Sequence, residues 1–253
     1  MHTYEKKCHF YFAKNRRFFI LLQLENLNQK ISIVMKVVNF AEQNTVINRF
    51  LMELRDKYYQ KNPLLFRNNI ERIGEMMAYE ISKTLEYEET IVETPLAQCK
   101  MNLPKDDIVL ATVFRAGLPL HQGFLKVFDK AQNAFVSAYR YYEDKECSKV
   151  GIKVEYMATP NLDGKTLMLV DPMLATGGSF ELAYKAFVSK GNPRRLILAS
   201  VIASQQGVDY LKSVFPEDDV ELYTAAIDPI LNEHKYIVPG LGDAGDLCFG
   251  EKV

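Results

Sequence analysis

Between Phe40 and Tyr58 the apolar residues Ile47, Phe50, Leu51, Leu54 and Tyr58 recur at the i, i+3, i+4, i+7 spacing of one helix face. The pattern predicts an amphipathic helix, which Pro63 is expected to end. A second helix is predicted from about Asn69, with Ile70, Ile73, Met77, Ile81 and Leu85 on its buried side. From Ile108 the rhythm changes. Ile108–Phe114 is an unbroken apolar run that stops at Arg115-Ala116-Gly117, and it reads as a buried strand entering a loop. Ala134–Tyr139 is a second short run, closed by Arg140, whereas Val150, Ile152, Val154 and Tyr156 alternate with polar residues as a half-exposed strand does. Thr166–Val170 reads as another buried strand, with a helix predicted from about Ser179 to Lys190 and Gly191 placed to stop it. Leu196–Ala203, a short helix near Val208–Val214, and Val220–Ile227 continue the alternation. Strand–helix–strand repetition with β-branched runs predicts an α/β fold built on a mostly parallel sheet. No repeat or low-complexity linker interrupts the chain, so one domain over residues 35–253 is expected, with residues 1–34 a poorly attached extension, disordered or a mis-set start.

Composition mainly removes alternatives. With 253 residues, 48% hydrophobic and 25% charged, the chain has the make-up of a globular protein and not of a disordered or fibrous one. Its 31 basic and 32 acidic residues provide no global positive field, so no nucleic-acid partner is expected and an anionic ligand needs a local site. The balance is uneven along the chain. Residues 1–34 hold six basic residues and two acidic ones, a net of +4, against −5 for Met35 onward. Cys8, Cys99, Cys147 and Cys248 lie far apart with no CxxC pair, which reads as reduced thiols and a cytoplasmic setting. The four histidines have no ligand spacing, so no protein-held metal is expected. The run Phe18–Leu22 is too short for a bilayer and lacks a signal-peptide cleavage pattern, so no membrane association is expected.

The stretch Leu167-Met168-Leu169-Val170-Asp171-Pro172-Met173-Leu174-Ala175-Thr176-Gly177-Gly178-Ser179 carries the densest chemistry. A buried strand delivers Asp171 to its carboxyl end, where ligands sit in open α/β sheets. Pro172 biases Asp171 toward extended geometry. Thr176-Gly177-Gly178-Ser179 then opens a helix whose free N–H groups and dipole favour a phosphate, with close backbone approach at glycine and two hydroxyl donors. Taken alone, those four residues read equally as a loop in which Ser179 caps the helix; the apolar strand and Asp171-Pro172 ahead of them favour the phosphate. There is no GxxxxGK[ST] loop.

This segment resembles the motif with which type I phosphoribosyltransferases bind 5-phospho-α-D-ribose 1-diphosphate (PRPP), in the form found in uracil phosphoribosyltransferases. Most other members carry two adjacent acids here; Pro172 replaces the second, as in the uracil enzymes. Phe114-Arg115-Ala116-Gly117-Leu118-Pro119 is similar to the family's pyrophosphate-side loop. Asp228-Pro229-Ile230-Leu231-Asn232 and the run from Tyr236 to Asp246 (YIVPGLGDAGD) resemble its C-terminal uracil loop. The resemblance covers about Met35 to Val253, and residues 1–34 match nothing in it.

The resemblance implies the type I phosphoribosyltransferase fold, a mostly parallel central sheet flanked by helices, with a β flap and a C-terminal base-binding loop. It implies that PRPP is held by Arg115, Arg140, Asp171, Pro172, Met173, Leu174, Ala175, Thr176, Gly177, Gly178, Ser179 and Asp243. Within that set, Asp171 would meet the ribose hydroxyls and Thr176–Ser179 the 5′-phosphate. Uracil would be held by Ile237, Gly242, Asp243 and Ala244, with Arg115, Asp171 and Asp243 as the catalytic set. Arg140 would lie near a mobile flap, Arg140–Ile152, in which Tyr141-Tyr142-Glu143 departs from the usual acidic run. Ser204-Gln205-Gln206-Gly207 and Leu247-Cys248 are further departures, outside the matched binding residues. The implied reaction makes UMP and diphosphate from uracil and PRPP, with Mg2+ carried by PRPP. Relatives form dimers or larger homo-oligomers, and some respond to GTP as an allosteric activator. A dedicated general base is not expected, because His121 and His234 fall outside the matched residues. Two alternatives remain at this point: an RNA-binding regulator on the same fold, disfavoured by Asp171-Pro172 and the missing basic stripe, and an enzyme for another base.

Overall fold

The structure, a computed structural model, describes residues 35–105, 107–142, 150–215 and 220–251, with the backbone alone between 138 and 154. The basic segment 1–34 and residues 143–149 of the expected flap lie outside the described residues. In chain order the strands are β1 (Lys36–Asn39), β2 (Tyr87–Glu93), β3 (Gln98–Pro104), β4 (Ile108–Val113), β5 (Gln132–Tyr142), β6 (Val150–Ala158), β7 (Thr166–Val170), β8 (Met173–Leu174), β9 (Arg195–Ser204), β10 (Val220–Asp228), β11 (Ile230–Leu231) and β12 (Ile237–Val238). The main sheet has the order β1-β10-β9-β7-β4-β5-β6, with β8 beside β9. Every pairing in it is parallel except β5 with β6.

Both faces of this sheet are covered, which is why its strands read as continuous apolar runs. One face sets Leu110, Met168, Val170, Ile197 and Ala199 against helices α1 (Ile47–Arg55), α2 (Pro63–Ser82) and α3 (Gly117–Val127). The other sets Val109, Ala111, Leu167, Leu169 and Leu198 against α4 (Gly178–Phe187) and α5 (Gln205–Val214). Successive residues of β7 thus point into opposite cores, as a period of two requires. The flap expected between Arg140 and Ile152 is the antiparallel pair β5–β6, where Arg140 opposes Ile152. Among the described residues no helix is long and apolar enough to cross a membrane.

The structure corrects the sequence reading near the front. The predicted helix over Phe40–Tyr58 is a 3-10 turn at Phe40–Glu42 followed by α1, which ends at Arg55. Pro63 does not stop a helix but starts one. It occupies the first turn of α2, where its missing N–H has no helical partner to lose. Asn62 caps that turn, accepting from the Leu64 and Leu65 N–H groups at 3.1 and 3.2 Å. The loop expected at Arg115-Ala116-Gly117 runs straight into α3, a helix with no counterpart in the sequence reading. Its glycines depress helix propensity, but Gly123 serves the crossing with α2, where a Cβ would lie 2.1 Å from the Glu71 carbonyl oxygen. The β2–β3 hairpin had no counterpart in the sequence reading. It is exposed on both sides, so no one-sided apolar pattern marks it.

Candidate active site

Two strand ends and the C-terminal loop build the site. β4 leads through Phe114, whose N–H donates to the Val136 carbonyl at 2.9 Å, into Arg115 and the start of α3. The Phe114–Arg115 peptide is cis. Phe114 stacks between Phe135 and Tyr156, with centroids 5.5 and 6.1 Å away, joining the Arg115 loop to the base of the flap. Arg115 Nη2 donates to Asp246 Oδ1 at 2.8 Å, while its Nε is buried and has no hydrogen-bond partner. A buried unpaired guanidinium donor is a group that a ligand oxygen can satisfy.

β7 delivers Asp171. Its N–H donates to the Ala199 carbonyl at 3.1 Å, and its Oδ1 accepts the Met173 N–H at 3.0 Å. Burial pushes the Asp171 carboxyl up to about 6, against the smaller opposing effect of the Met173 hydrogen bond. Pro172 and Leu174 are buried. The Pro172 carbonyl accepts from Val201 and Ile202, and Met173-Leu174 pair with β9 as β8. This part of the motif is therefore fixed rigidly to the sheet. Ser204 Oγ donates to the Ala175 carbonyl at 2.6 Å and extends the same support.

The chain then turns at Gly177, with φ of 82° in the left-handed region, and enters α4. No side chain caps this helix, so the expected alternative in which Ser179 is the cap is not what forms. The first-turn N–H groups are left for another partner. Thr176 and Ser179 are exposed, whereas Gly177 and Gly178 are buried.

The C-terminal loop is held from two sides. β11 and β12 pair, and the Asn232 side chain accepts from the His234 and Tyr236 N–H groups at 3.0 and 2.9 Å. Ile237 is buried, Gly240 and Gly242 have φ of 63° and 90°, and Asp243 caps α6 (Ala244–Phe249) by accepting the Asp246 N–H at 3.0 Å. Ala244 is buried. Arg115, Asp171, Met173, Ser179, Asp243 and Gly245 line one cleft of about 270 Å³. Arg140 lies on β5, and its side chain is outside the described residues. His121 is packed away from solvent with Nε2 2.7 Å from Asn133 Oδ1, and burial lowers its pKa; His234 is exposed.

Two features had no sequence signal. One is the aromatic stack around Phe114. The other is an ion pair between Arg55 and Asp228, whose partners are 173 residues apart.

An open α/β sheet with an arginine and an aspartate at its strand ends, an uncapped helix start beside them and a second aspartate from the C-terminal loop has the arrangement expected of the class of proteins with a phosphorylated-ligand site at the carboxyl edge. Comparison narrows the class. The chain belongs to the uracil phosphoribosyltransferase family, whose model matches residues 41–251. It is 53% identical over 219 residues to the uracil phosphoribosyltransferase of Porphyromonas gingivalis, covering 87% of this chain and 100% of that one. It is 38% identical to the enzyme of the same name from Thermococcus kodakarensis, over 84% of this chain and 90% of the other. Among solved structures, the AQ2163 protein from Aquifex aeolicus is similar with a TM-score of 0.74 and 29% identity, over 86% of this chain and 99% of that one.

Proposed function

We propose that the protein is a uracil phosphoribosyltransferase, joining uracil to the ribose 5-phosphate of PRPP with release of diphosphate. The observation that carries this reading is the convergence of Arg115, Asp171, Ser179 and Asp243 on one cleft, from three segments distant in sequence. In this reading the 5′-phosphate rests on the uncapped start of α4, between Thr176 and Ser179. Asp171, ionised above pH 6, accepts from the ribose hydroxyls. The buried Nε of Arg115 and the second arginine, Arg140, meet the diphosphate. Main-chain groups of Ile237, Gly242 and Ala244 read the edge of uracil, and Asp243 faces the ribose.

Asp243 is the carboxylate that would face Mg2+ carried by PRPP, and the ion would supply charge neutralisation on the diphosphate. Displacement at the anomeric carbon passes through an oxocarbenium-like state, so this chain contributes positioning and fixed charge more than proton transfer. No histidine is needed for it. We further propose a cytoplasmic homodimer or larger homo-oligomer, GTP as an allosteric activator, and a catalytic unit that begins at Met35. UMP formation from uracil and PRPP with Mg2+, measured against an EDTA control, tests the reaction. Magnesium-dependent UMP is expected, and its absence would overturn the reading.

A further inference from the structure

The Arg55–Asp228 pair lies outside every residue assigned to substrate above. Arg55 closes α1, and Asp228 is the last residue of β10. The guanidinium grips the carboxylate with both nitrogens, Nη1 to Oδ2 at 2.8 Å and Nη2 to Oδ1 at 2.7 Å. The pair is sheltered, with the side chains 24% and 7% exposed, so the planar fork is fixed in one geometry. Its remaining contacts converge on a single residue, Gly240. Asp228 Oδ2 accepts the Gly240 N–H at 2.8 Å, and Arg55 Nη1 donates to the Gly240 carbonyl at 3.0 Å. Gln60 adds a neighbouring hold, donating from Nε2 to the Leu241 carbonyl at 3.2 Å and the Leu54 carbonyl at 3.0 Å. Gly240 is confined as well by its own turn, because a Cβ there would lie 2.0 Å from the Ile237 carbonyl oxygen.

We infer that Arg55 is a positioning residue for the base-binding loop: with Asp228 it clamps Gly240, and so sets where Ile237 and Gly242 present their main-chain groups. The inference rests on the reading of that loop as the uracil site. A base held by backbone groups has no flexible side chain to take up an error in loop position, so displacement of the loop falls directly on base affinity. Apart from Asp243, the residues assigned to PRPP lie on other elements, so its binding is expected to change far less than that of uracil.

The test is steady-state kinetics of the full-length enzyme with Arg55→Met and Arg55→Lys, together with amide hydrogen exchange of the 237–246 segment. Arg55→Met is expected to raise KM for uracil about tenfold or more, with KM for PRPP within about twofold of wild type. Arg55→Lys keeps the charge but cannot span both carboxylate oxygens and the Gly240 carbonyl, so an intermediate rise is expected. Exchange in the segment should quicken about tenfold in either variant. Should Arg55→Met fail to fold, Arg55→Lys carries the same comparison. An unchanged KM for uracil, or equal rises in both KM values, would overturn the inference. If the wild-type enzyme made no UMP, the uracil reading would fall instead, and the exchange data would still decide whether Arg55 holds the loop.

Discussion

Asp171 concentrates the conflict between folding and ligand binding in one carboxyl group. Burial moves it from an ordinary 3.8 to about 6, so the folded state favours its protonated form. A raised carboxylate value withdraws stability as pH rises: the cost is absent below about pH 4, grows between 4 and 6, and is complete above 6. At 1.36 kcal/mol per unit, that cost is at most about 3 kcal/mol. Asp171→Asn keeps an acceptor for the Met173 N–H and removes the buried charge. At pH 7.5 its Tm is expected to equal or exceed the wild-type value by a few degrees, while UMP formation falls steeply. Thermal unfolding at pH 4.5 and 7.5 checks this; a lower Tm at pH 7.5 would mean that the acid supports the fold.

At the scale of elements, α2 is set by its first turn. Asn62 satisfies two N–H groups there, and Pro63 removes the need to satisfy a third. Asn62→Ala should cost about 1 kcal/mol, a Tm decrease of about 2–4 °C for a chain of this size, measurable by calorimetry with kinetic constants unchanged. The same turn shows why proline before an apolar periodicity is ambiguous in sequence: Pro63 suits the end of one helix and the beginning of the next equally well. Strands β4, β7, β9 and β10 were legible because burial on both faces leaves uninterrupted apolar runs. The β2–β3 hairpin was not, because neither of its faces is buried. Helix α3 was hidden by glycines set by tertiary demands that no local window contains: Gly117 lies against Thr112 of the sheet, and Gly123 lets α2 approach. Candidate site residues next to an apolar run or a glycine turn, such as Arg115, Asp171 and Ser179, could be found locally. Arg55 carries no such mark, and although Asp228 follows the apolar run Val220–Ile227, its pairing with Arg55 across 173 residues has no local signal.

For the whole molecule, the near-zero net charge hides two parts of opposite sign, +4 over residues 1–34 and −5 beyond. The match to a relative over that relative's full length takes only 219 residues of this chain. A protein beginning at Met35 is expected to fold and to retain wild-type kcat/KM, checked by circular dichroism and initial rates; insolubility or lost activity would assign the first segment a role in the enzyme. The base that this molecule accepts is read by comparing product formation from PRPP and Mg2+ with uracil, cytosine, orotate and xanthine, each as the sole base. Uracil is expected to yield UMP while the other three yield no nucleotide above background. Nucleotide formed from any of the others, with none from uracil, would contradict the account.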